Sequence, residues 1–291
     1  MRVPITRRAF LAATAASNLS RAGAPITSPE ISEQSSPAEQ VTAKTPDGAK
    51  PIGILRRPPG SRKCPIMIFL HGGLVTTPVK TLREWTLTAP TQCRALAAGY
   101  AVLFPTFRPR NEDPQSTAAL VDCLALVRHA KKLTGVDPES VVVYGCSGGG
   151  SLALEVAGEE QLAAIVVEEP ATVLFTGMMN KTTPKSGSTY KPGDSAEISR
   201  DPKKFYTPEL QEFTRGKIRK IKCSILLAQG DKSAINRVNE MIVIPELKAA
   251  GKELKVITYL ASRTVLDFTA TAAPNRPRPC SSKYGNTWSR N

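Results

Sequence analysis

The chain has 291 residues, of which 41% are hydrophobic and 22% charged, so it is long enough to bury a large core and too apolar to be wholly disordered. Its apolar runs are strand-sized and fall short of the roughly 18 residues that a membrane-spanning helix needs, so we expect no stable membrane anchor. The net charge of +14 lies largely at the two ends, and the body has no zinc-finger spacing, RNA-binding aromatic motif or continuous basic helix. The charge therefore does not predict binding to a nucleic acid.

The amino terminus resembles a bacterial twin-arginine export signal. Residues 5–14 read ITRRAFLAAT, with paired arginines, one free position and then Phe-Leu. A short alanine-rich stretch follows and ends in small residues at 22–24, which suit a signal peptidase. We interpret residues 1–24 as a signal peptide and expect export to the periplasm or outside the cell. An ordinary amphipathic helix is the alternative interpretation.

The next segments predict a linker followed by one α/β domain. Residues 25–45 are rich in Pro, Ser, Thr, Glu and Gln without an apolar period, which favours a flexible linker before a domain over residues 46–259. Short apolar runs predict buried strands at Pro65–Leu70, Ala101–Phe104, Val141–Tyr144, Ala164–Val167, Cys223–Ala228 and Leu254–Tyr259. Apolar residues at three- and four-residue steps predict helices at Gln92–Ala98, Ser116–Leu133, Ser147–Ala157 and Val238–Ala250. This alternation predicts a mostly parallel sheet with helices on both faces.

The interval 171–215 interrupts the alternation. It is rich in Lys, Thr, Pro, Gly and Ser, with a few scattered aromatic residues, and its composition predicts a long irregular insertion. Such an insertion in a compact domain is typical of a lid or binding loop. A merely solvated excursion is the alternative.

Gly145–Gly149 has the spacing of a G-x-S-x-G nucleophile elbow. It follows the predicted strand Val141–Tyr144 and precedes a helical pattern, which is the context that the motif requires. Glycines at these positions let a strand turn sharply into a helix while Ser147 is held in a strained backbone. The pattern predicts Ser147 as a nucleophile and the backbone N–H of Gly148 as an oxyanion donor.

A second glycine turn supplies the matching half of an oxyanion hole. His71-Gly72-Gly73-Leu74 directly follows the predicted strand Pro65–Leu70. Two glycines let the backbone approach a substrate carbonyl, so Gly73 or Leu74 is the expected second N–H donor. We interpret His71 and Gly72 as structural residues of this turn.

With both motifs in order, residues 50–259 resemble the α/β-hydrolase superfamily, in particular its prolyl-oligopeptidase-like (peptidase S9-like) and dienelactone-hydrolase-like serine hydrolases. The resemblance implies the α/β-hydrolase fold, an acyl-enzyme mechanism on an ester, lactone or peptide, and no cofactor. It also implies a triad acid in the turn after the next-to-last strand, where Asp231 follows Gln229-Gly230. Asp231 would orient a histidine and stabilise its imidazolium. A helix cap is the alternative role for Asp231.

Other polar and sulfur-containing residues carry weaker signals. Cys146 precedes the serine position rather than occupying it, and the six cysteines lack the spacing of a zinc site or a disulfide framework, so no metal is expected. Glu168 and Glu169 end a predicted strand. They could line the site or receive a cationic group, and strand-end solvation is an equally open interpretation.

The triad histidine is missing from the sequence. Of the two histidines, His71 belongs to the glycine turn and His129 precedes the serine in a predicted helix. The resembled family places its base after the last strand, in a stretch such as PGEPHCFGF, whereas Leu260–Phe268 reads LASRTVLDF. One permitted set of codons for LASRTVLDF, regrouped after one restored C, encodes PGEPHCFGF and puts histidine at Thr264. We therefore predict that residues 260–291 are a frameshifted tail that replaces a closing helix.

The resulting function prediction is a serine hydrolase by descent that is impaired for want of a base. A non-catalytic ligand-binding protein with the same fold is the alternative.

Overall fold

The computed structural model describes residues 31–60, 63–110, 116–179, 192–231 and 233–259. The predicted signal peptide 1–24 and the tail 260–291, with Thr264, lie outside these ranges and stay predictions. None of the helices in the described ranges is long and apolar enough to cross a membrane.

In these ranges the sheet has eight strands in the order β1-β2-β4-β3-β5-β6-β7-β8. Their bounds are β1 Glu39–Thr42, β2 Ile52–Arg56, β3 Cys64–Leu70, β4 Ala101–Pro105, β5 Val136–Cys146, β6 Ala164–Glu168, β7 Ser224–Gly230 and β8 Leu254–Tyr259. Strand β2 runs antiparallel to β1 and β4, and every pairing from β4 to β8 is parallel. The predicted α/β-hydrolase fold is confirmed.

The helices cover both faces of this sheet. They are α1 Val79–Thr88, α2 Pro90–Ala97, α3 Ala118–Ala130, α4 Gly148–Glu159, α5 Thr172–Phe175, α6 Pro192–Arg200, α7 Pro202–Phe205, α8 Pro208–Lys220, α9 Asn236–Val238, a π-helical turn Asn239–Val243, and α10 Ile244–Ala249. Helices α1 and α2 bury apolar residues in a cluster on one face, and α3, α4, α8 and α10 contribute to a larger cluster on the other. Because both faces are covered, β3, β4, β6, β7 and the second half of β5 are largely apolar rather than alternating.

The structure corrects the predicted linker 25–45 over residues 31–45, and residues 25–30 lie outside the described ranges. Within it, β1 pairs with β2, and the backbone ahead of β1 is tied down by Arg56, whose side chain is 1% exposed. The Arg56 guanidinium donates to the carbonyls of Ser36 at 3.0 Å and Ile31 at 2.9 Å. Residues 31–45 are held by backbone hydrogen bonds rather than by buried apolar side chains. Such bonds leave no apolar period in the sequence, so the prediction of a linker from composition was wrong here.

The interval 171–215 is also more regular than predicted. Its described parts are helical, with α5, α6, α7 and the start of α8, and Met178 and Met179 are fully buried. Pro202 and Pro208 occupy the first turns of α7 and α8, and Thr207 caps α8. Prolines that suggested irregular structure therefore begin helices, where their missing N–H costs nothing. Whether this interval acts as a lid stays a prediction.

Candidate active site

Ser147 occupies a sharp turn between β5 and α4. Its backbone has φ 49° and ψ −118°, which is strained for a residue with a side chain. Hydrogen bonds hold it from both sides, because its N–H donates to the Glu168 carbonyl at 2.9 Å and its own carbonyl accepts from the N–H of Ala171 at 2.9 Å. The turn is thus fastened to the backbone that follows β6, and the Ser147 side chain is only partly buried.

The glycines of the elbow are required by close backbone contacts. A Cβ on Gly145 would lie 2.2 Å from the Gly149 carbonyl oxygen, and one on Gly149 would lie 2.3 Å from the Leu70 carbonyl oxygen. Real Cβ atoms are not found at such distances, so neither position accepts alanine without a backbone shift. This part of the sequence motif is needed for the elbow to lie flush against the end of β3.

The turn after β3 packs directly on the elbow. A Cβ on Gly148 would lie 2.5 Å from the Gly73 carbonyl oxygen, and one on Gly72 would lie 3.3 Å from the Ser147 Cβ. Gly73 has φ +84°, a conformation that side chains rarely adopt. The structure therefore brings the two predicted glycine motifs together around Ser147, with Gly148 as the first residue of α4. The positive end of that helix favours a developing negative charge.

His71 is enclosed beneath the glycine turn. Its ring stacks on Phe107 with centroids 4.1 Å apart, and Trp85 and Phe104 lie within 6.4 Å. Its Nδ1 lies 2.9 Å from the Gly72 carbonyl oxygen, which fixes that nitrogen as the donor. Burial lowers the pKa of His71 to about 4, so the ring is neutral at physiological pH. These contacts support its predicted structural role. The second histidine, His129, lies in the last turn of α3.

Asp231 directly follows β7 at the carboxyl edge of the sheet. Its N–H donates to the Tyr259 carbonyl at 3.1 Å, and its side chain is exposed. Strand β7 lies two strands from β5, so the ends that carry Asp231 and Ser147 are about 10 Å apart across the sheet. Tyr259 ends β8, and the position predicted for the base follows it. The structure thus places Asp231 at the same edge as Ser147, and its catalytic role stays a prediction.

Glu168 and Glu169 are buried, which rules out the strand-end solvation that the sequence left open. Glu168 is 5% exposed, and its pKa is raised to about 7, mainly by burial and to a smaller extent by the charge of Glu169. Glu169 is 4% exposed, has φ 47°, and accepts a hydrogen bond from the Gly230 N–H at 2.5 Å. The sequence marked this pair as polar residues at a strand end but gave no sign of its partners.

Two asparagines near Asp231 were not predicted. Asn236 and Asn239 are almost fully buried, and the Asn236 Nδ2 donates to the Gly230 carbonyl at 2.7 Å. Their three-residue spacing is compatible with one face of a helix, but the sequence alone gives no sign that this face is buried. Among the described residues, no group of three or more His, Cys, Asp or Glu side chains is arranged to hold a metal ion.

Known proteins share this architecture. The BD-FAE family model matches residues 53–185, which include both glycine motifs and end before Asp231. Quorum-quenching protein AidA of Acinetobacter baumannii (strain MDR-ZJ06) is 29% identical over 133 residues, or 43% of this chain. The match spans 41% of AidA, about two fifths of that curated relative.

Solved structures extend the likeness to nearly the whole chain. Carboxyl esterase 2 of the fungus Tuber melanosporum has a TM-score of 0.59 and 19% identity, covering 96% of this chain and 95% of that one. Brefeldin A esterase, a bacterial homologue of human hormone sensitive lipase, has a TM-score of 0.60 and 18% identity, covering 92% of this chain and 80% of that one. This protein has the α/β-hydrolase fold. At such identities the likeness extends to the fold alone.

Proposed function

We propose that this protein is a serine hydrolase by descent, in which Ser147 attacks the carbonyl of a small ester, lactone or peptide. The observation that carries the proposal is the strained Ser147 elbow packed against the glycine turn after β3. A serine backbone with φ 49° is costly, and such strain is characteristic of catalytic turns. The esterases among the structural neighbours support the same reaction class.

In the proposed mechanism the Ser147 oxygen bonds to the substrate carbonyl carbon while its proton passes to a base. The N–H groups of Gly148 and of Gly73 or Leu74 stabilise the resulting oxyanion. The carbon–leaving-group bond then breaks as the base returns the proton to the leaving group, and water clears the acyl-enzyme. Asp231 orients that base and stabilises its charged form.

The base itself is absent from this sequence. Of the two histidines, His71 is enclosed by aromatic rings and His129 lies on α3. Serine without a base is a weak nucleophile at neutral pH, so we expect severely reduced activity. We propose that residues 260–291 are read out of frame, and that the frame-restored chain, with PGEPHCFGF after Tyr259, is the active hydrolase. It would be a member of the prolyl-oligopeptidase-like or dienelactone-hydrolase-like group.

The decisive experiment compares hydrolysis of p-nitrophenyl acetate by the natural and the frame-restored full-length chains. Restoring the frame places histidine at position 264, and we expect kcat/KM to rise at least about 100-fold because a general base is regained. Ser147→Ala in the restored chain should return the rate to background. No gain on restoration, together with no labelling of Ser147 by a fluorophosphonate, would overturn the proposal.

The second candidate is a non-catalytic ligand-binding protein, favoured by the missing histidine in an otherwise preserved elbow. Fluorophosphonate labelling separates the two, because an unactivated serine should label equally slowly in both chains if the fold only binds ligands.

We further propose export through a twin-arginine route to the periplasm or outside the cell, on the strength of residues 5–14. Arg7→Lys combined with Arg8→Lys should leave the protein in the cytoplasm of a bacterial host, whereas Arg2→Lys should not.

A further inference from the structure

A short backbone segment joins the serine turn to the acid turn. The segment Glu168–Ala171 bonds to Ser147 at both of its ends, through the Glu168 carbonyl and the Ala171 N–H, each at 2.9 Å. In between, the Glu169 N–H donates to the Ala228 carbonyl of β7 at 2.8 Å. This bond is the last of the parallel ladder between β6 and β7, in which Glu168 pairs with Ala228. The segment therefore connects the turn that holds Ser147 to the end of β7, two residues before Gly230.

The Glu169 side chain completes the connection on the acid side. Its Oε1 accepts from the N–H of Gly230, the residue immediately before Asp231, at 2.5 Å. The glutamate is 4% exposed and has φ 47°, so it is held in an unfavourable backbone region with a buried carboxylate. Both features are costly and persist only where the surroundings enforce them.

Asn236 clamps the same two groups. Its Nδ2 lies 2.7 Å from the Gly230 carbonyl oxygen and 3.3 Å from Oε2 of Glu169. Asn239 in the π-helical turn donates to the Asn236 Oδ1 at 3.2 Å, and the Thr172 hydroxyl donates to the Asn239 Oδ1 at 2.5 Å. Gly230 is thus held at its N–H by the carboxylate and at its carbonyl by the amide. A π-helical turn at this place is consistent with a functional constraint, since such turns are frequent at functional sites.

We propose that Glu169 is a positioning residue that sets the Gly230-Asp231 turn at a defined distance from Ser147. The inference rests on the proposed function, because it takes Asp231 as the triad acid. Glu169 touches neither the substrate nor the nucleophile in this role; it acts through Asp231. The Asn236 amide keeps the carboxylate directed at the Gly230 N–H.

The test uses the frame-restored full-length chain with Glu169→Ala and Glu169→Gln. Misplacing a catalytic group by about 1 Å can cost on the order of 10²-fold in rate, so Glu169→Ala should lower kcat by about that factor with little change in KM. Glu169→Gln keeps an oxygen that accepts from Gly230 and should recover most of the loss. Glu246→Gln is the matched control, since Glu246 is 8% exposed and pairs with Arg215 between α8 and α10.

A double-mutant cycle then asks whether Glu169 acts through the acid. Once Asp231→Asn has removed the acid, adding Glu169→Ala should lower kcat little further. Equal losses from Glu169→Ala in the presence and absence of Asp231, or a Glu169→Ala effect no larger than that of Glu246→Gln, would overturn the proposal.

A measurement on the natural chain keeps the two proposals separable. Amide hydrogen exchange should show a Gly230 N–H that loses at least about tenfold protection in Glu169→Ala but keeps it in Glu246→Gln. If restoration brings no gain in ester hydrolysis and Ser147 is not labelled by a fluorophosphonate, the proposed function fails, and the Gly230 exchange still decides on Glu169. Loss of protection supports the positioning contact, and unchanged protection overturns it.

Discussion

The two halves of the candidate site are built in different ways. Around Ser147, backbone carbonyls approach Gly145, Gly148 and Gly149 so closely that these elbow positions leave no room for a Cβ. Around Asp231, the turn after β7 is held by side chains, mainly the Glu169 carboxylate and the Asn236 amide. The first half consists of local motifs that can be recognised in the sequence. The second depends on residues from three separate segments, so it is visible only in the folded chain.

The largest expected effect tests the glycine-built half. Ser147→Ala in the frame-restored chain should reduce kcat by about 10⁵-fold or more, because no other group attacks the carbonyl. The free energy of unfolding should hardly change, because alanine keeps the Cβ that makes the backbone conformation at φ 49° costly. Steady-state ester hydrolysis and urea unfolding measure the two quantities. Retained hydrolysis would contradict the assignment of the nucleophile.

The next effect tests the half that is built by side chains. Asp231→Asn in the frame-restored chain should lower kcat on the order of 10³- to 10⁴-fold, because the histidine loses the charge that selects its tautomer. Since the Asp231 side chain is exposed, the urea concentration at the unfolding midpoint of this variant should hardly change. A loss no larger than that of Asp201→Asn, a control outside the site, would favour the capping role for Asp231.

A stability comparison within one helix sharpens the claim about close packing. In α4, Gly149→Ala places a Cβ 2.3 Å from the Leu70 carbonyl oxygen and should lower the free energy of unfolding by about 3 kcal/mol or more. Gly158→Ala in the same helix meets nothing closer than 3.6 Å and should stabilise by up to about 1 kcal/mol. Equal effects in urea unfolding would show that the elbow has room to relax.

The smallest effects come from two buried titratable groups, one in each half. The pKa of His71 is lowered from 6.5 to about 4, so the unfolded chain binds more protons than the folded chain between these pH values. The contribution of His71 to the free energy of unfolding is complete above pH 6.5 and is lost as the pH falls through 4. The pKa of Glu168 is raised from 4.5 to about 7, so the folded chain binds more protons and stability is lost as pH rises from 4.5 through 7. Each group changes the free energy of unfolding by at most about 3 kcal/mol across its pH range, and the two changes have opposite signs.

Glu168→Gln separates these contributions. Relative to the unaltered chain, it should be more stable at pH 8 by up to about 3 kcal/mol, and the advantage should vanish below pH 4.5. Unfolding in urea at several pH values measures the difference. A constant difference across this range would show that Glu168 does not titrate on unfolding.

Much of the fold followed from the sequence because buried parallel strands are continuous apolar runs. Five predicted strands lie within two residues of their observed bounds and the four predicted helices within three, whereas β5 begins five residues before the predicted start at Val141. By contrast, β1 was assigned to a linker and α1 was not predicted. Strand β1 reads EQVT and is mostly exposed at the edge of the sheet, so its pairing partner rather than its composition makes it a strand.

By itself, the sequence determined the α/β class, the two glycine turns and the lack of a histidine at the expected place. These are properties of neighbouring residues or of composition, so they can be read without three-dimensional contacts. Tertiary structure decided that residues 31–45 belong to the domain, that Glu168 and Glu169 are buried, and that Glu169 reaches Gly230, 61 positions along the chain. Such contacts join distant residues, and no local period or propensity records them.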